Sequence, residues 1–165
     1  MQEWKKKTIH VLFPVSHTIA GDNMQNSKDF LNSILKTAQM GQVEIRSVLD
    51  TSMRPSLRKA LEGQLREFDS IETEAHQIAF QRGWEIRDLE PALRFLADRK
   101  ARMKLTGKNT DSRIADMMIQ GSTKGMIREI KNRHQFPESD GPVTTLSQKL
   151  IDCETACIRQ MQNYL

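Results

Sequence analysis

Residues Ile114 to Ile130, IADMMIQGSTKGMIREI, read as one helix with Gly121 and Gly125 a single turn apart in its middle. A glycine inside a helix costs roughly 0.5 to 1 kcal/mol relative to alanine. Two of them on one face mean that something has to come close there, most simply the backbone of a neighbouring helix. The feature constrains architecture before it says anything about chemistry.

The rest of the chain has the same helical spacing. Leu31, Ile34, Leu35, Ala38, Ile45, Val48 and Leu49 form one stripe of a helix over about Ser27–Leu49. Pro55 suits the first turn of a second helix, which carries Leu57, Leu61, Leu65, Phe68, Ile71, Ala75 and Ile78 inward and stops at Gly83. Asp88 is expected to cap a third helix with Pro91 in its first turn and Gly107 at its end. Asn109 or Thr110 caps a fourth, running to about His134. A fifth follows Pro142, with Val143, Leu146, Leu150, Cys153, Cys157, Met161 and Tyr164 on one side. Aromatic residues make up only 5% of the chain, which favours helices over a sheet.

Short turns make helices one and two, and helices four and five, antiparallel hairpins. The third helix, ~17 residues and so ~25 Å long, carries the chain back between them. The expected fold is an all-α, up-down-down-up four-helix bundle of ferritin-like connectivity with a crossover helix. Residues 1–25 are expected to be a poorly structured arm or start-site extension, and 26–165 a single bundle domain. Matching heights across assumed turn centres places Gly121 level with Cys157, Gly125 with Cys153, and Gly41 with Gly63. All four glycines are therefore read as helix-packing positions.

The chemical signatures are incomplete. A dinuclear metal centre in such a bundle needs Glu-x-x-His on two helices, but Thr73 precedes His76 and Lys131 precedes His134 at that spacing. Glu72 and His76, four apart, share a face and remain candidate ligands. Cys153 and Cys157, one turn apart, are candidate soft-metal ligands and otherwise small buried residues. GSTKG at Gly121 to Gly125 lacks the spacing of a phosphate loop. Gln39, Gln42, Gln64 and Gln120 lie on or beside inward faces and would form a buried amide network or sit at helix boundaries. No catalytic residue and no cofactor site is expected; iron, manganese or zinc is the alternative at Glu72, His76, Cys153 or Cys157.

Net charge is +4, too small to imply nucleic acid. The stretch with Arg94, Arg99, Lys100, Arg102, Lys104 and Lys108 is read as a solvated face, with anion or nucleic-acid binding as its alternative. No apolar run reaches the ~18 to 20 residues of a membrane span, and two cysteines make no disulfide framework. A cytoplasmic location is the expectation.

The blocks AQMG at Ala38 to Gly41, the Glu-rich second helix ending in a glycine, and IADMMIQGSTKG at Ile114 to Gly125 resemble a group of ferritin-like helical-bundle proteins of Gram-positive anaerobic bacteria, within the rubrerythrin superfamily, that has no assigned activity. The resemblance covers about Asn26 to Leu165 and implies the same bundle. In the wider superfamily the corresponding inward positions carry carboxylates, whereas here the fourth helix offers Met117, Met118, Gln120 and Ser122. The resulting expectation is a non-enzymatic protein that acts through self-association or a protein partner, with atypical metal binding as the alternative.

Overall fold

The computed structural model describes residues 16–95 and 109–165, and among them every regular element is helical. The long helices are α1 (Ser16–Leu49), α2 (Pro55–Arg82), α3 (Thr110–Gln135) and α4 (Gly141–Met161), followed by a 3-10 turn over Gln162–Tyr164. Helix α1 begins eleven residues before the expected Ser27, so positions 16–25 of the expected arm are helical; residues 1–15 lie outside the described residues. None of these helices is long and apolar enough to cross a membrane.

Local chemistry sets the ends. Pro55 opens α2, where its missing N–H is not needed. Gly83 closes it in the left-handed region at φ 66°, so that Trp84 N–H reaches Ala79 O at 2.8 Å. Asn109 precedes α3 at φ 63°, a conformation asparagine tolerates, and contributes no side-chain cap. Asp88 does not cap the next helical turn, which covers residues 91–95 and in which Arg94 N–H bonds Glu90 O. The remainder of the expected third helix, with Arg99, Lys100, Arg102, Lys104 and Lys108 of the basic stretch, lies outside the described residues.

Cross-helix pairs fix the packing. Against α1, α3 places Asn132 on Ser33, Arg128 on Thr37 and Gly121 on Glu44, so residue numbers fall along one helix as they rise along the other. Against α2, α4 places Cys153 on Gln64 and Lys149 on Ser70, and Asp140 just before α4 meets Arg82, again in opposite senses. The largest fully buried side chains include Phe30, Leu31, Ile34, Leu35, Leu57, Leu61, Phe68 and Met118. Burying each such side chain contributes about 1.5 to 3 kcal/mol.

Helix α3 departs from this pattern. Its buried face is apolar from Ile114 to Met118 and then turns to Ser122, Gly125 and Glu129. On α4, Ser147 and Glu154 are buried beside the apolar residues. The bundle therefore has a polar stripe in its interior along the α3–α4 contact.

Candidate functional site

The two glycines of α3 make room for carboxylates. A Cβ built on Gly121 would collide with Glu44 Oε2 and stand 3.1 Å from Glu44 Cδ. One built on Gly125 would collide with Glu154 Oε1, with Glu154 Cδ at 3.0 Å and Thr37 Cγ2 at 3.4 Å. Close approach at these glycines was expected from a helix backbone carrying Cys153 and Cys157, and the occupants are instead two glutamates from α1 and α4. The heights are nearly right, because Glu154 is the neighbour of Cys153 and Ser122 hydrogen-bonds Cys157. The faces are not, because α3 turns its glycines toward the junction with α1 and α4 together.

Beside this junction lies a partly enclosed cavity of about 250 Å³. Thr37, Glu44, Ser122 and Glu154 give it polar groups, Met40, Phe68, Met117 and Met118 give it apolar walls, and the exposed Lys124 and Arg128 stand at its edge. Glu154 is 3% exposed and Glu129, one helical turn past Gly125, is fully buried. Ser147 Oγ donates to Glu129 Oε2 at 3.1 Å and Asn132 Nδ2 to Oε1 at 3.3 Å.

Burying a carboxylate disfavours its charged form unless a counter-charge is supplied. Burial pushes the Glu154 carboxyl up to about 7; the Ser122 hydrogen bond opposes the rise, Glu44 and Glu129 add to it, and Arg128 opposes it. Glu129 is likewise pushed up to about 7 by burial, against the hydrogen bonds from Ser147 and Asn132 and the charges of Arg128 and Arg133. Near neutral pH both groups thus stand ready to lose a proton, and a bound cation would favour that loss.

The cysteines are free and buried. Gln64 Nε2 donates to Cys153 Sγ at 2.8 Å and to Cys153 O at 3.0 Å. Burial, reinforced by Glu154, holds the Cys153 thiol far above its ordinary range. Burial raises Cys157 to about 11 despite the Ser122 hydrogen bond. Both are packed as small, buried, nearly apolar groups.

In the first hairpin, a Cβ on Gly41 would stand 2.6 Å from Phe68 Cε2 and Cζ, so Gly41 receives an aromatic ring rather than Gly63. Gly63 has room for a Cβ, with Arg66 Nη2 the nearest atom at 3.7 Å, because it turns toward the groove between α2 and α4 and not toward α1. Gly63 is therefore not a close-packing position.

Glu72 and His76 do come together, and the structure adds Asp88 from the connection after α2. Of the glutamines, Gln39 and Gln42 are buried and joined through Glu72, whereas Gln64 is buried on Cys153 and Gln120 is exposed on Asp116, so only the first two share a network. His134 is exposed at the end of α3. Sequence reasoning missed Glu44, Glu129 and Asp88. The spacing Met118, Ser122, Gly125, Glu129 was the available signal for Glu129, since it continues the buried stripe of α3. Glu44 and Asp88 carry no such signal.

Comparison with protein-family models, with curated proteins and with solved structures gives no match to the chain. The functional reading rests on the site itself.

Proposed function

We propose that the protein is a non-enzymatic, ferritin-like helical bundle that binds a single small cation, most simply a divalent metal ion, through Glu44 and Glu154 in the cavity cleared by Gly121 and Gly125. The connectivity is supported by the cross-helix pairs. With α1 opposed to α2 and α3, and α4 opposed to α2 and α3, the helices run up, down, down, up.

The observation that carries the reading is the replacement of side chains by hydrogen at Gly121 and Gly125, one turn apart, where carboxylates from two other helices enter. Each glycine lowers helix propensity by about 1 kcal/mol, and the burial of Glu154 adds a desolvation cost. A packing role alone is met more cheaply by alanine against an apolar side chain. Two carboxylates at one cavity, Glu154 buried with its proton affinity raised and Glu44 half-buried beside it, suit a hard divalent ion, whose charge would offset the burial cost.

The donor set does not fit the dinuclear centre of ferritin-like oxidases. Among the described residues no imidazole lines the cavity, and α2 contributes Phe68 where such a centre takes a carboxylate. No redox step is assigned to the site.

Binding to the native state raises stability with ligand concentration. Mn²⁺, added as the chloride at pH 7.5, should raise the melting temperature of the wild-type chain progressively and leave that of Glu154→Gln unchanged. Equal responses in the two proteins would refute the reading.

One surface feature supports self-association as a second reading. Ile127 and Ile130, one turn apart on α3, are 46% and 41% exposed. Light scattering of wild type and an Ile127→Lys, Ile130→Lys variant decides it: an oligomer that the variant dissolves supports the reading, and a monomeric wild type rejects it.

A further inference from the structure

The other convergence of ligating groups lies away from the cavity, where the chain leaves α2. Glu72 and His76 are four residues apart on one face of α2 and project the same way. After Gly83 turns the chain back, Asp88 arrives opposite them, with His76 Nε2 3.4 Å from Asp88 Oδ1. One ligand atom from each of Glu72, His76 and Asp88 falls within 4.8 Å of the others.

Polar groups of α1, the buried Gln39 and Gln42 among them, hold this arrangement from behind. Gln39, with no exposed surface, donates through Nε2 to Glu72 Oε1 and to Asp88 Oδ1, each at 2.7 Å. Its Oε1 accepts the backbone N–H of Leu89 at 2.6 Å, which fixes the backbone next to Asp88. Gln42 Nε2 donates to Glu72 Oε2 at 2.6 Å, and Asn32 Oδ1 accepts the N–H of Arg87 at 2.8 Å. Such outer hydrogen bonds orient metal-binding side chains and set their affinity.

We propose that Glu72, His76 and Asp88 form a binding site for a divalent ion of the zinc class, which pins the connection after α2 onto the first hairpin. The donor types select the ion. Two carboxylates and one imidazole supply a charge that balances a divalent cation, and imidazole favours zinc over magnesium or calcium. Three protein ligands leave a fourth tetrahedral position for water at this open edge of the bundle. The two carboxylates would otherwise face each other across one shared amide nitrogen, with an exposed histidine as partner. The site does not depend on the central cavity and shares no residue with it.

The test is titration of the full chain with Zn²⁺ by calorimetry and with Co²⁺ by visible absorption, which reports coordination geometry directly. The wild type should take up one ion with a tetrahedral Co²⁺ spectrum. His76→Ala and Asp88→Asn, both changes at exposed side chains, should each weaken binding at least ~10-fold, while His134→Ala, which removes an exposed imidazole on another helix, should leave it unchanged. No Zn²⁺ uptake by the wild type, or uptake that survives both His76→Ala and Asp88→Asn, would overturn the proposal. Loss of Mn²⁺ stabilisation without loss of this Zn²⁺ site would count against the cavity alone.

Discussion

Gly125 of α3 faces the carboxylate of Glu154 on α4, with the carboxylate carbon only 3.0 Å from the place a Cβ would occupy. Glu154 is almost wholly buried and cannot swing into solvent to make way. Gly125→Ala should therefore destabilise the fold by ~1 to 3 kcal/mol, the usual cost of overpacking. Gly121→Ala should cost less, because Glu44 is only half buried and can move outward. Adding Glu154→Ala should rescue Gly125→Ala more than it rescues Gly121→Ala, as a double-mutant cycle in urea would measure.

The pH dependence of stability follows from the two raised carboxyls. Glu129 and Glu154 move from 4.5 to about 7 on folding, so between those values the native state holds protons that the unfolded chain has lost. Stability is then greatest below the unfolded value and falls as pH rises through the folded one, by up to about 3 kcal/mol for each group. Denaturation at pH 5 and pH 8 should show a less stable protein at pH 8, and Glu154→Gln should reduce the difference by about half. A stability that rises over this range would contradict the assignment.

Thiol chemistry offers an independent check on the interior. Burial and the neighbouring Glu154 keep Cys153 and Cys157 protonated, so a disulfide reagent at pH 8 should label the native chain far more slowly than the chain in guanidinium. Gln64→Ala would remove the donor that favours the Cys153 thiolate and should slow labelling of Cys153 more than of Cys157. Rapid labelling of both thiols in the native wild type would place them at the surface.

Gln39 holds the connection after α2. Gln39→Leu removes the acceptor of the Leu89 N–H and the amide shared by Glu72 and Asp88. A buried group left without its partner costs about 1 to 3 kcal/mol, so global stability should fall by that amount. Hydrogen exchange at Leu89 should also accelerate beyond the global change, since the segment loses its anchor to α1.

Much of the architecture was legible from spacing. The second hairpin could be aligned to within about a residue because a short turn fixes the register of α3 and α4, and Ser122 does meet Cys157. The first hairpin could not, because Phe68 inserts its ring against Gly41 and the long side chains of Gln39, Gln42 and Glu72 reach beyond their own level. The site was less legible for a physical reason. A glutamate on an exposed face and one in a cavity have the same spacing, and only the glycines opposite Glu44 and Glu154 distinguish them. Asp88 read as a helix cap because its buried partner, Gln39, lies on a helix remote in sequence.

Direct titration of Mn²⁺ at pH 7.5, followed by loss of its free-ion paramagnetic resonance signal, tests the central claim most closely. The account predicts one bound ion per chain for the wild type and for His76→Ala, and affinity weakened at least ~10-fold in both Glu44→Gln and Glu154→Gln, as removal of a ligand requires. A wild type that leaves the free-ion signal untouched, or glutamine variants that bind as tightly as the wild type, would contradict it.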